Sequence, residues 1–162
     1  MRDEADINRA LQLYADTVRR ICFMHLKNRS DAEDVFQEVF LKHILREAAF
    51  ESDAHEKAWL IRVTINACKD LLKSFWRRRV CSLEDTDEIG ITMPDEHKDV
   101  LDAVLRLKPP KYRDVIYLHY FEGYKASEIA VILGQKENTI YTWLSRAKEQ
   151  LKSLLGGEPI EG

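Results

Sequence analysis

"ASEIAVILGQKENTIYTWLSRAKEQL", residues 126–151, sets apolar side chains at three-and-four spacing on both sides of a short break at Gly134. That spacing predicts two helices, over 126–133 and 137–154, meeting at a tight turn. The first buries Ile129, Ala130 and Leu133; in the second, Ile140, Leu144, Ala147, Leu151 and Leu154 form the apolar stripe. At about 100° per residue, Asn138, Thr142, Ser145 and Glu149 fall opposite that stripe, flanked by Tyr141, Arg146, Lys148 and Lys152. A turn of this kind props the second helix outward, the helix-turn-helix geometry that enters a major groove, and its outer side chains suit base edges and phosphates. A plain helical hairpin with a solvated polar face gives the same pattern. Lys125 and Lys136 moreover stand at the two cap positions, where Ser, Thr or Asp is preferred.

The rest of the chain is equally helical. Periodic segments predict helices over about 4–27, 31–48 and 56–78, with Ser30 or Asp31 capping the second, and over about 97–107 and 111–121, separated by the helix-breaking "LKPPK". No segment shows the alternation of a half-buried strand, and no internal repeat is visible, so the fold class is all-α. The 162 residues, 45% of them apolar, suffice for one medium domain or two small ones. The net charge of −3 conceals a division: residues 1–80 carry 15 Lys/Arg against 13 Asp/Glu and residues 100–162 carry 9 against 8. Between them, "CSLEDTDEIGITMPDEHKD" holds seven acids and one lysine without helical or strand periodicity. We read domains at 1–80 and 100–162 joined by an acidic linker at 81–99. Three widely spaced cysteines, Cys22, Cys68 and Cys81, and the lack of an apolar leader or spanning run point to a reducing cytoplasmic setting without membrane insertion.

Two further helices carry patterned charge. In "EKAWLIRVTINACKDLLKSFWRRR", Arg62, Asn66, Lys69, Lys73 and Arg77 share one stripe, within about 80° of arc, that ends in Arg77-Arg78-Arg79. Leu60, Val63, Ala67, Leu71, Leu72 and Phe75 fill much of the remainder. An unbroken basic stripe with a single amide suits a phosphate backbone, although charge on a helix is often only solvated. In "SDAEDVFQEVFLKHILREA" the core stripe is Ala32, Val35, Val39 and His43, with Phe36 and Phe40 beside it, while Asp31, Asp34, Glu38, Leu41 and Leu45 share the other side. Leucines on an acidic face fit a protein partner with a basic, partly apolar surface. Acids in a first helical turn also favour the helix dipole by themselves.

Catalytic patterns are lacking: there is no Gly-rich phosphate loop, no nucleophile with a plausible base beside it and no clustered carboxylate pair outside the linker. Cys22 and His25 lie one turn apart, but two candidate ligands do not make a zinc site. No cofactor is implied.

Taken in order, "DAEDVFQEVF" (31–40), "WLIRVTINACKDLLKSFWRR" (59–78), the acidic linker and "LKPPKYRDVIYLHYFEGYKASEIAVILG" (107–134) resemble the extracytoplasmic-function (ECF) sigma factors of bacterial RNA polymerase. The likeness covers roughly residues 8–155. It implies a first domain that binds core RNA polymerase and the melted minus-ten promoter element, and a second that binds the duplex minus-thirty-five element. Asp31, Asp34, Gln37, Glu38 and Leu41 would face polymerase. The loop from about Phe50 to Glu56, which includes Asp53, would capture a flipped base, with Arg62 and Asn66 below it and Lys69, Lys73 and Arg77 on phosphates. Asn138, Tyr141, Thr142, Ser145, Arg146, Lys148 and His119 would meet the minus-thirty-five duplex. The linker would occupy a basic polymerase channel, and an anti-sigma factor is a further implied partner. His119 stands where the family commonly has Arg, and Tyr141 and Trp143 replace commonly basic positions. The competing reading from the residues is a stand-alone helix-turn-helix regulator whose first domain senses a ligand or dimerises, with Leu41 and Leu45 as the dimer seam.

Overall fold

The computed structural model describes residues 2–78 and 98–156, with the backbone alone described at 75–78, 98 and 99. The expected linker at 81–99 lies outside the described residues except for the helical backbone of Lys98 and Asp99. The chain divides into two compact units, residues 1–91 and 92–162.

The first unit packs α1 (Glu4–His25), α2 (Arg29–Leu45) and α3 (Asp53–Arg78). Asp3 caps α1 by accepting the Asp6 N–H at 2.8 Å. Asn28, rather than Ser30 or Asp31, caps α2, accepting the Asp31 N–H at 3.0 Å. Asp31 therefore occupies the third helical position, where its charge favours the dipole. The α2 helix stops at Leu45, earlier than the periodicity suggested, because Arg46 turns to extended backbone (ψ 122°). The α3 helix begins three residues earlier than expected. Ser52 caps it, its Oγ accepting the His55 N–H at 3.1 Å and its carbonyl accepting the Glu56 N–H at 3.0 Å. The core is filled by Val18, Cys22 and Leu26 from α1, Val35, Val39 and Phe40 from α2, and Leu60 and Cys68 from α3.

The second unit contains α4 (Lys98–Leu105), α5 (Pro110–Ile116), a π-helical turn (Tyr117–Phe121), α6 (Ala126–Leu133) and α7 (Glu137–Gly156). Pro110 opens α5, where its missing N–H costs no hydrogen bond. The expected continuous helix over 111–121 instead widens after Ile116: the Glu122 N–H reaches back five residues to the Tyr117 carbonyl at 3.1 Å. Stacking of Tyr117 on Phe121, with centroids 5.8 Å apart, supports the wide turn. Gly134 sits in the left-handed region at φ 67°, and the Gln135 N–H closes the end of α6 on the Ala130 carbonyl at 2.9 Å. Any side chain at Gly134 would strain that turn. Glu128 compensates for the missing cap at Lys125, accepting its N–H at 2.9 Å. Along α7, Ile140, Leu144 and Ala147 are buried and Leu151 half-buried, but Leu154 is 38% exposed rather than part of the core, because the helix outruns its partners. Gln150 ties α7 to the preceding turn, donating to the Lys108 carbonyl at 2.7 Å and accepting the Lys108 N–H at 3.2 Å. Among the described residues no helix is long and apolar enough to cross a membrane.

A buried polar cluster crosses the first unit. Glu56, 2% exposed, accepts from Arg9 Nη2 on α1 at 2.7 Å, and its other oxygen lies 2.7 Å from Nε2 of the fully buried His43 on α2. Glu56 raises the Arg9 pKa above its ordinary value, so that guanidinium remains charged. Arg9 also bonds Asp6, which lowers the Asp6 pKa. Removing Glu56 leaves the fully buried His43 Nε2 without its partner, while Arg9 keeps Asp6 and Asp53, so Glu56→Ala is expected to destabilise the first unit by about 1–3 kcal/mol. Urea unfolding of the full chain followed by circular dichroism checks this: the expected result is an earlier transition for part of the helical signal.

Candidate nucleic-acid interface

In the first unit, the outer face of α2 presents Asp34, Gln37, Glu38 and Leu41 to solvent, with Asp31 half-buried at its start. Leu41 and Leu45 are 55% and 57% exposed, one turn apart on the solvent side of a helix whose opposite face is buried. Lys42 partly balances the acids, 3.8 Å from Glu38.

The α3 helix exposes Arg62, Asn66, Lys69 and Lys73 on one side, while Leu60, Ile61, Ile65 and Cys68 are buried on the other. Side chains at these spacings lie one above another along the helix, and the stripe therefore offers donors at intervals that a strand backbone can follow. Arg77 is helical, but its side chain lies outside the described residues, as do Phe75 and Arg78; Arg79 lies outside them altogether.

The segment expected to be a polar loop over Phe50–Glu56 is divided differently. Asp53 to Glu56 form the first turn of α3, and Glu56 is the buried ion-pair partner already described. Phe50 is not a free platform either: its ring stacks on His43 (centroids 5.8 Å, planes 14° apart) and packs on Trp59 at 5.5 Å. The Arg2 and Arg46 guanidinium groups lie 4.6 and 4.5 Å from its centroid. What remains exposed is Glu51, Ser52, Asp53 and Ala54. Asp53 is held 3.5 Å from Arg9, and its carbonyl accepts the Tyr14 hydroxyl at 3.2 Å. Burial, and then the Glu56 and Asp53 charges, raise the pKa of that hydroxyl.

In the second unit, Asn138, Tyr141, Thr142, Ser145, Arg146 and Lys148 are all exposed on α7. Thr142 bonds back to the Asn138 carbonyl at 3.1 Å, which fixes its hydroxyl along the helix. The structure gathers Tyr141, Ser145, Lys148 and His119 around one groove of about 670 Å³, together with Lys125 and Lys152. Arg146 lines a different groove of about 510 Å³, with Arg106, Tyr112, Glu149 and Gln150. The two sets of side chains thus lie on different flanks of α7. His119 is half-buried, and its Nδ1 lies 2.8 Å from the Tyr124 carbonyl. A carbonyl can only accept, so Nδ1 carries the proton and Nε2 is the nitrogen left for a ligand. Sequence reasoning treated Lys125 only as a poor cap; its place in the groove follows from the α6–α7 turn, which no local pattern announces. Trp143 is half-buried with Lys111 Nζ 4.6 Å from its ring centroid, so a cation from α5 stands beside the position where α7 lacks one.

Comparison with known proteins follows the same two units. Residues 10–78 match the family Sigma-70 region 2, and residues 98–151 match the family Sigma-70, region 4. RNA polymerase sigma factor SigV of Bacillus subtilis is 30% identical over 142 residues, covering 87% of this chain and 86% of that protein. The ECF RNA polymerase sigma factor BldN of Streptomyces coelicolor is 31% identical over 163 residues, covering 94% of this chain but 61% of its own longer length. Among solved structures, the sigma factor RpoE of Bartonella quintana, crystallised with the anti-sigma factor NepR, has a TM-score of 0.76 at 24% identity over 95% of this chain and 99% of that one. CnrH, solved with the cytosolic domain of CnrY, has a TM-score of 0.67 at 21% identity over 97% and 92%. Those two likenesses bear on the fold; the family matches and the relative aligned over most of both lengths bear on kinship. The chain belongs to the ECF sigma factors of bacterial RNA polymerase and directs transcription initiation.

Proposed function

We propose that residues 1–80 form the domain that binds core RNA polymerase and the melted minus-ten element, that 81–99 is a linker, and that 100–162 bind the minus-thirty-five duplex. The observation that carries this reading is the pairing, within one small unit, of an acidic, leucine-bearing face on α2 with an exposed basic stripe on α3. A stand-alone regulator has no use for both. Asp31, Asp34, Gln37, Glu38 and Leu41 meet polymerase; Lys69, Lys73 and Arg77 hold strand phosphates; Asn66, Arg62 and the Glu51–Asp53 tip meet an unstacked base. In the second domain, α6 and α7 act as a helix-turn-helix. Lys148 and Lys125 neutralise phosphate at one groove, with His119 beside them against the duplex, and Asn138, Tyr141, Thr142, Ser145 and Arg146 meet the duplex along α7. The chain has no catalytic role of its own, acts in the cytoplasm, and is a partner of an anti-sigma factor, a reading supported by the sigma factor RpoE solved with the anti-sigma factor NepR.

The near balance of charge in each domain means that phosphate attraction alone supplies little affinity, and polymerase must hold the protein on the promoter. Accordingly Leu41→Glu is expected to weaken capture of core polymerase roughly tenfold, with helical content unchanged. Pull-down and circular dichroism check it, and normal assembly would exclude this face.

The two flanks of α7 separate two kinds of contact. Lys148→Ala should lower promoter affinity about evenly across minus-thirty-five sequences and reduce the salt slope by about one, whereas Arg146→Ala should relax preference at one base position by about 1–3 kcal/mol. Salt-dependent binding of the polymerase complex to a minus-thirty-five library reads both. Unchanged preference with Arg146→Ala would reduce that residue to positioning.

A further inference from the structure

The proposed base-capturing tip, Glu51–Asp53, has no apolar anchor of its own, yet the chain on either side of it is fixed. The tip itself is tied downstream to the first turn of α3: the Glu51 N–H donates to His55 Nδ1 at 3.0 Å, and the His55 N–H donates to Ser52 Oγ at 3.1 Å. On the upstream side the fixing group comes from the other end of the unit. Arg2, whose side chain is 13% exposed, donates its backbone N–H to the Ile44 carbonyl at 3.3 Å and its Nε–H to the His43 carbonyl at 2.9 Å. Its Nη2 donates to the Ala48 carbonyl at 3.3 Å, and its guanidinium lies 4.6 Å from the Phe50 ring centroid. Asp6 holds the remaining Nη1 at 3.1 Å.

These contacts have one physical meaning. The last four carbonyls of a helix lack partners within it. At the end of α2, the Lys42 carbonyl is taken by the Arg46 N–H, and the next two are taken by Arg2. The same guanidinium then reaches into the chain segment after α2, binding one carbonyl and covering one ring. Arg46 covers the same ring, but its buried Nε has no hydrogen-bond partner, so it packs against Phe50 without that second tie.

We propose that Arg2 is a positioning residue for promoter melting: it fixes segment 46–50 in advance, and thereby the tip that receives the unstacked base. The inference rests on the proposed role of that tip. A tip held in its binding geometry before the base arrives pays no ordering cost on capture, and the advantage is greatest for the base that fits.

The test uses the full chain assembled with core polymerase and a pool of single-stranded deoxyoligonucleotides randomised over the minus-ten element, with the bound fraction sequenced. Arg2→Ala is expected to reduce the preference at the captured base by about fivefold, the scale of one lost net hydrogen bond. Arg2→Lys keeps a cation near Asp6 but cannot span two carbonyls with a planar fork. It should show a similar loss of preference while unfolding in urea near the wild-type midpoint and capturing polymerase normally. Preference unchanged in both variants overturns the proposal. So does an equal loss of affinity for every base, which would make Arg2 a stabilising residue only. A Glu51→Ala, Ser52→Ala double variant separates the two readings. If it keeps full preference, the tip is not the capturing element and the reading of that site fails with the proposal. If it loses preference while both Arg2 variants keep theirs, only the role of Arg2 fails.

Discussion

The first domain depends on one buried carboxylate. Glu56 is the point at which three helices meet in polar terms: it belongs to α3, accepts from Arg9 of α1 and lies against His43 of α2. Apolar packing drives the helices together but is tolerant of sliding, whereas a buried charge satisfied from two directions admits one arrangement. Its place in the first turn of α3 matters, because the exposed stripe of Arg62, Asn66, Lys69 and Lys73 runs along the same helix. Fixing the rotation of α3 fixes which side that stripe faces. The acidic, leucine-bearing face of α2 and the basic stripe of α3 are thereby oriented by one cluster that belongs to neither.

The second domain solves the same problem with backbone geometry. Gly134 in the left-handed region, the wide turn over Tyr117–Phe121 and the paired hydrogen bonds from Gln150 to Lys108 set where α7 begins, what it packs on and where its later turns are held. A π-helical turn takes up one residue more than an α-turn would, so side chains after it are rotated from where regular spacing would put them. His119 and Tyr120 lie within that turn, Tyr120 exposed with Lys148 Nζ 5.6 Å from its ring centroid. The grouping of His119 with Lys148 around one groove thus has its origin in a helix defect as much as in sequence.

What could be read from the chain beforehand follows from the range of the interactions involved. The helices, the break at Gly134, the burial of Ile129, Ile140, Leu144 and Ala147, and the exposure of Leu41 and Leu45 depend on neighbours three or four positions away, and periodicity reveals them. So does the burial of His43, which falls in the α2 core stripe. Contacts between distant positions leave no periodic trace. Glu56 looks like one more surface acid at a helix start until Arg9, 47 residues away, is brought to it. Phe50 and Glu56 were therefore expected in a free polar loop, whereas one anchors that segment and the other is buried. Asn28 outcompeted Ser30 and Asp31 as a cap because all three are good cap types, and the choice rests on where the chain leaves α1. The partition of the α7 side chains between two grooves depends on α5, α6 and the π-turn, which the helix's own pattern cannot encode.

The aromatic surroundings of Trp59 carry an optical consequence. Its indole lies 5.5 Å from the Phe50 ring and 5.4 Å from the Arg46 guanidinium, measured between ring centroids and to the guanidinium carbon. Trp143, in the other domain, lies under Lys111 instead. Indole emission responds to nearby charge and to polarity, so each domain contains a native fluorophore whose colour and yield register local rearrangement. With Trp76 and Trp143 replaced by Phe, Trp59 would report, without a label, whether segment 46–50 keeps its arrangement while the strand is bound.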